Sequence, residues 1–139
     1  MRLRAAPSES AAISENVVSA AHEGWLIPIR TWTSGGGKAD ATYETSGASS
    51  RTLLMLAAAN GEEIVADLLL KRGAQVGLQD SNGTTALLEA AQMGHVQVMD
   101  MLLKRGAEVS LANNDGVTAL TAAILHQKTE ARLRLMSAI

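Results

Sequence analysis

At 139 residues the chain is long enough for one compact domain or a short array of repeats. It is 47% apolar with no Phe and few aromatics, so Ala, Leu, Val and Met have to fill the core. The net charge of −2 comes with no Lys/Arg stripe, which argues against a nucleic-acid groove. Cys is absent, which excludes disulfide scaffolds, thiol chemistry and Cys-based zinc sites, and no apolar run reaches the roughly 18 residues of a membrane span.

Residues 1–13 open with Met1-Arg2-Leu3-Arg4 and lack the apolar stretch of a secretory signal. Two arginines among serines suggest a transit peptide, but Glu9 and Glu15 speak against one, so the segment is expected to be a disordered tail. From Glu15 to Gly24 the pattern predicts a helix closed by a glycine turn. A second helix follows, with Pro28 in its first turn, where a missing N–H costs little, and with Trp32 in the core. Gly36 then stops it. A long loop lies between Ala41 and Arg51.

The next two units repeat each other closely. Leu69-Leu70-Lys71-Arg72-Gly73-Ala74 recurs 33 residues on as Leu102-Leu103-Lys104-Arg105-Gly106-Ala107. Thr52, Thr85 and Thr118 share that offset, as do Ala57, Ala90 and Ala123, and Gly61 with Gly94. A strict period of this size means stacked units that cannot bury their apolar faces alone. Within one unit, Ala86, Leu87, Ala90 and Ala91 have helical spacing and a narrow face. Gly94 allows a tight reversal. Val96, Val98, Met99, Leu102 and Leu103 then line a second helix. Asp67 with Lys71, and Asp100 with Lys104, stand four apart and are expected to pair. Residues 109–117 read as a polar, hairpin-like loop. The last unit, from about 112 to 139, reaches its second helix.

Helix, Gly turn, helix and projecting loop at this period resemble the ankyrin repeat. The resemblance rests on Thr85-Ala86-Leu87-Leu88 and its counterparts at Thr52 and Thr118, on Ala90-Ala91-Gln92-Met93-Gly94-His95, and on Leu102 to Val109 and Leu69 to Val76. The family's Pro and His after the Thr are missing from each motif. The resemblance implies an all-α solenoid of stacked helix-turn-helix units with hairpin-like loops, in four repeats at about 14–45, 46–78, 79–111 and 112–139. It also implies that His95 bonds nearby backbone and that the chain binds a protein partner as a non-catalytic scaffold or adaptor. A regulatory ankyrin fragment of a larger enzyme or channel is the alternative. Arg132 and Arg134 fall where Met99 and Met101 sit one repeat earlier, which favours a polar terminal cap.

Family positions at loop tips and late in first helices map onto Ser49, Arg51, Asn60, Gln79, Ser81, Asn82, Thr84, Gln92, Met93, Asn114, Asp115, Val117, Leu125 and His126. The only tyrosine, Tyr43, lies in the longest loop among small and polar neighbours, so it is expected to anchor a partner without serving the core.

Other chemistry is weakly signalled. Gly35-Gly36-Gly37-Lys38 lacks the first Gly and the final Ser/Thr of a phosphate loop. His22, His95 and His126 are too far apart in the repeat register to share a metal. Glu62 and Glu63 start a helix and oppose its dipole. Asp80 and Asp115 are expected to bond loop amides, and Met99, Met101 and Met136 to fill the core. The chain is therefore expected to be a monomer without catalytic residues, cofactor, small-molecule substrate, nucleic acid or membrane insertion, and to sit in the cytosol or nucleus.

Overall fold

The structure, a computed structural model, describes residues 15–138. The tail expected over 1–13 lies outside them. Among the described residues there are eight helices in four pairs. They are α1 (Glu15–Glu23) with α2 (Leu26–Ser34), α3 (Leu53–Asn60) with α4 (Glu63–Lys71), α5 (Ala86–Met93) with α6 (Val96–Lys104), and α7 (Ala119–Leu125) with α8 (Thr129–Ala138). The first helices stack in the order α1, α3, α5, α7, and the second helices stack behind them as α2, α4, α6, α8. Strands β1 (Thr42–Tyr43) and β2 (Arg51–Thr52) pair antiparallel, Thr42 with Thr52 and Tyr43 with Arg51. The expected architecture is the one observed.

The recurring residues have separate jobs. Thr52, Thr85 and Thr118 are N-caps, and each hydroxyl accepts from the amide three residues on, at 3.2, 3.1 and 3.3 Å. Ala57, Ala58, Ala90, Ala91 and Ala123 are fully buried between first helices, whose close approach a larger side chain would prevent. Trp32, Leu69, Leu102 and Leu135 hold one buried position in successive second helices.

The turns use a second constraint besides backbone freedom. Gly61 has φ +69°, and a Cβ there would stand 2.6 Å from Nδ1 of His95, the residue after the next turn glycine. That histidine's Nε2 meets the Ala59 carbonyl at 3.1 Å, so the ring fastens one turn to the preceding one. At the fourth turn the same position is Gln127, held at φ +56°. A side chain in that conformation costs on the order of 1 kcal/mol. Gln127→Gly is therefore expected to raise the stability by roughly that amount, read as a higher midpoint in urea; an unchanged midpoint would show that Gln127 repays its strain elsewhere.

Several expectations are corrected. Asp67 does bond Lys71, at 2.8 Å, but Asp100 pairs with Arg134 of the next repeat instead of Lys104. Arg134 also meets Glu130 of its own helix at 3.3 Å, so it joins a carboxylate of α8 to one of α6. Met99 is buried and Met101 half-buried, whereas Met136 is exposed on the last helix. Asp115 does not anchor its loop. Asn113 does, its Oδ1 accepting from the amides of Asp115 and Val117 at 2.9 and 3.0 Å, as Asp80 Oδ1 accepts from Asn82 and Thr84. The 33-residue register matches Asn113, not Asp115, to Asp80.

Candidate functional site

The expected partner-binding residues separate into two groups at opposite ends of the first helices. An eight-residue helix is about 12 Å long, so the groups are distinct surfaces. The loop-tip group lies before the N-termini. Asn60, Gln92, Met93, Leu125 and His126 lie at the C-terminal ends.

Most of the tip residues are spent on holding the loops together. The Ser81 hydroxyl accepts from the Ser49 amide and the Ser81 amide donates to the Ser49 carbonyl, both at 2.9 Å. The Asn82 side-chain amide donates to the Gly47 carbonyl at 3.1 Å, and that of Asn114 to the Ser81 carbonyl at 2.9 Å. The Gln79 side chain donates to the carbonyls of Gly83 and Ala112. Thr84 gives its backbone amide to Asp80, and Val117 gives its own to Asn113. A polar group already bonded to its neighbour has less to offer a partner.

Arg51 and Tyr43 belong to the scaffold as well. Arg51 Nη1 meets Asp80 Oδ2 at 2.9 Å and Glu89 Oε1 at 2.8 Å, so β2 is tied to the next loop and to α5. Burial works against the guanidinium's charge, but Glu89 and Asp80 more than offset it and hold the group firmly protonated. Tyr43 is half-buried against the core, contrary to the expectation that it stands apart from it. Its hydroxyl is buried beside Arg51 with no well-formed hydrogen bond, and burial pushes its pKa up despite the neighbouring positive charge. The small and polar sequence neighbours of Tyr43 concealed this, because its packing partners come from outside the loop.

The C-terminal group forms a surface. On α3 the residues left partly open beyond the buried run are Leu56, Ala59 and Asn60; on α5 they are Glu89, Gln92 and Met93. These are positions i, i+3 and i+4 of each helix, and thus one face. The register continues it to Leu125 and His126 at the end of α7, both exposed, and back to Ser19, His22 and Glu23 on α1. Leu56, Ala59 and Glu89 escaped the sequence reading, although their spacing from Asn60 and Met93 would have found them. From α3 to α7 the only charged side chain on this strip is Glu89, and Arg51 neutralises it. Asn60 turns its side-chain amide back to the Leu56 carbonyl at 2.9 Å. Met93 and Leu125 expose large apolar surface, which a free helix face does not need for stability.

The glycine run is structural. The amides of Gly35 and Gly37 donate to the carbonyls of Thr31 and Trp32, closing the end of α2, so they are not aimed at an anion. Gly37 is packed against the Trp32 ring, leaving no room for a side chain. Lys38 is exposed at the rim of a shallow depression of about 300 Å³ shared with Arg72 and Asp40. Among the described residues no three His, Asp or Glu side chains converge where they could hold a metal, and no helix is long and apolar enough to cross a membrane.

Comparison with known proteins bears on the whole array. The family model for ankyrin repeats, which spans three copies, matches residues 29–113 and, overlapping them, 54–138. No curated protein matches the chain.

Proposed function

The chain belongs to the ankyrin-repeat family, and we propose that it acts as a non-catalytic scaffold or adaptor, holding a protein partner along the open strip of its first helices. Ankyrin repeats are in general protein-interaction modules. The observation that supports the reading is the strip itself: three helices in register present Leu56, Gln92, Met93 and Leu125 with no unpaired charge, Leu56 partly packed on the core and Met93 and Leu125 left exposed by the stack. A rigid, preformed face loses little entropy on binding. Contact falls to the strip, with the loop tips serving mainly to keep it straight. The same reading makes the protein an intracellular one, in cytosol or nucleus.

The test is Met93→Glu combined with Leu125→Glu. Both side chains are exposed, so the melting temperature should hold, while a buried carboxylate in the interface should weaken a partner isolated from source lysate by roughly tenfold or more. Unchanged affinity with an unchanged fold would remove the strip from the binding surface.

A further inference from the structure

A second surface lies on the opposite side of the turns, where the second helices of the first two repeats begin. Trp25, Ile27 and Ile64 are 58%, 76% and 68% exposed. Trp25 is the residue before α2, and Ile27 and Ile64 occupy the same position near the starts of α2 and α4, which pack against each other. Large aliphatic and indole groups this open gain nothing from the fold, and three of them on adjacent turns make a patch instead of isolated surface residues.

The rim of that patch is acidic. Turns 22–28 and 59–65 carry Glu23, Glu62 and Glu63 and no Lys or Arg. Glu23 is beside His22 at 3.2 Å. Among the described residues neither Glu62 nor Glu63 makes an ion pair. Glu63 sits in the first turn of α4, where the helix dipole accounts for it. Glu62 does more than that: its carboxylate reaches back over Gly24, into the preceding turn, where any side chain would collide with it. Negative charge is thereby placed over the turn that leads into Trp25. Further along the two helices Asp67 is paired with Lys71 at 2.8 Å and Arg30 adds one positive charge, so the acidic rim is confined to the turn end of the patch, at Glu23, Glu62 and Glu63.

We propose that this patch docks a basic amphipathic helix of a partner protein, whose apolar stripe covers Trp25, Ile27 and Ile64 and whose Lys or Arg residues meet Glu62 and Glu63. Neighbouring helices pack about 8–10 Å apart. Seven residues of a helix rise about 10.5 Å, so side chains at i and i+7 match the step from Ile27 to Ile64. The turns offer no free strand edge, so an added strand has nothing to pair with. An anionic lipid surface is repelled by the same carboxylates that attract the helix. Trp25, Ile27 and Ile64 lie outside the strip bearing Met93 and Leu125, which borders this rim at Glu23.

The experiment uses the full chain and a short fluorescein-labelled peptide with Leu at helical spacing and Lys between, followed by fluorescence anisotropy. The Leu/Lys peptide should bind, and the same peptide with Glu for every Lys should not. Ile27→Ser with Ile64→Ser should weaken binding roughly tenfold, and Glu62→Gln with Glu63→Gln about threefold or more, with the salt dependence reduced. Glu108→Gln with Asp115→Asn, acidic but distant, should leave it intact, as should Met93→Glu with Leu125→Glu, so failure here is distinguishable from failure of the strip. All these residues are exposed or at a rim, and an unchanged melting curve checks the fold. Peptide binding that ignores both patch variants overturns the proposal. So does binding to phosphatidylcholine/phosphatidylserine vesicles that depends on Ile27 and Ile64, which assigns the patch to lipid.

Discussion

Leu102→Ala is expected to lower the unfolding free energy by about 2–5 kcal/mol, the range for deleting a fully buried leucine from a core that cannot collapse around the gap. Leu102 has no exposed surface and stands between Leu69 and Leu135 in the middle of the second-helix layer. Relaxation is hindered from both sides, because α6 packs on α4 and on α8. A repeat array draws its stability from each unit and from the interfaces between neighbours. The cavity therefore weakens two interfaces together, and the last repeat should fray first. Urea unfolding followed by circular dichroism reads the loss as a lower midpoint. Asp100, two residues earlier and on the outer side, pairs with Arg134 in solvent. Asp100→Ala should barely move the midpoint, since exposed pairs are screened and contribute little. Equal effects at the two positions would mean that the phase of α6 is wrong.

The solenoid was legible because its signals are local and repeated. A Thr that caps, alanines that let helices touch, a glycine that reverses the chain and a leucine that fills the outer layer each recur at one offset, so a weak signal at one site is reinforced at the next. The degenerate first repeat was legible for the same reason: Trp32 could be placed in the core by register alone, and it is buried there. What stayed hidden was lateral. Nothing in the order of residues shows that Asp100 prefers Arg134, that Ser81 closes on Ser49, or that Glu62 leans over Gly24, because those contacts span whole repeats and depend on side-chain reach. For the site, family positions gave late-helix residues that the stack leaves open, but could not distinguish them from tips already bonded to their neighbours. The apolar turn edge was missed because Ile27 and Ile64 stand in helices otherwise expected to bury their apolar side chains; only their exposure distinguishes them.

Arg51→Met is the second large effect expected. The guanidinium joins two carboxylates from different elements, Asp80 at 2.9 Å and Glu89 at 2.8 Å, with 14% of its side chain exposed and only 1% of that of Asp80. Methionine fills part of the volume but leaves two negative groups close together with no counter-charge. Losing one partner of a buried pair costs about 3–5 kcal/mol. Asp80 keeps its bonds from the amides of Asn82 and Thr84, and some water reaches Glu89, so a loss of about 2–4 kcal/mol is expected here. Most of that comes from the stranded charges, so Arg51→Met combined with Glu89→Gln should be more stable than Arg51→Met alone. Additive losses in that cycle would show that Arg51 and Glu89 act independently. The consequence for binding is indirect. Freed from Arg51, Glu89 becomes the one uncompensated charge on the strip between Asn60 and Met93. The single variant should therefore bind the strip's partner less well than its stability explains, and Glu89→Gln should restore the affinity along with part of the fold.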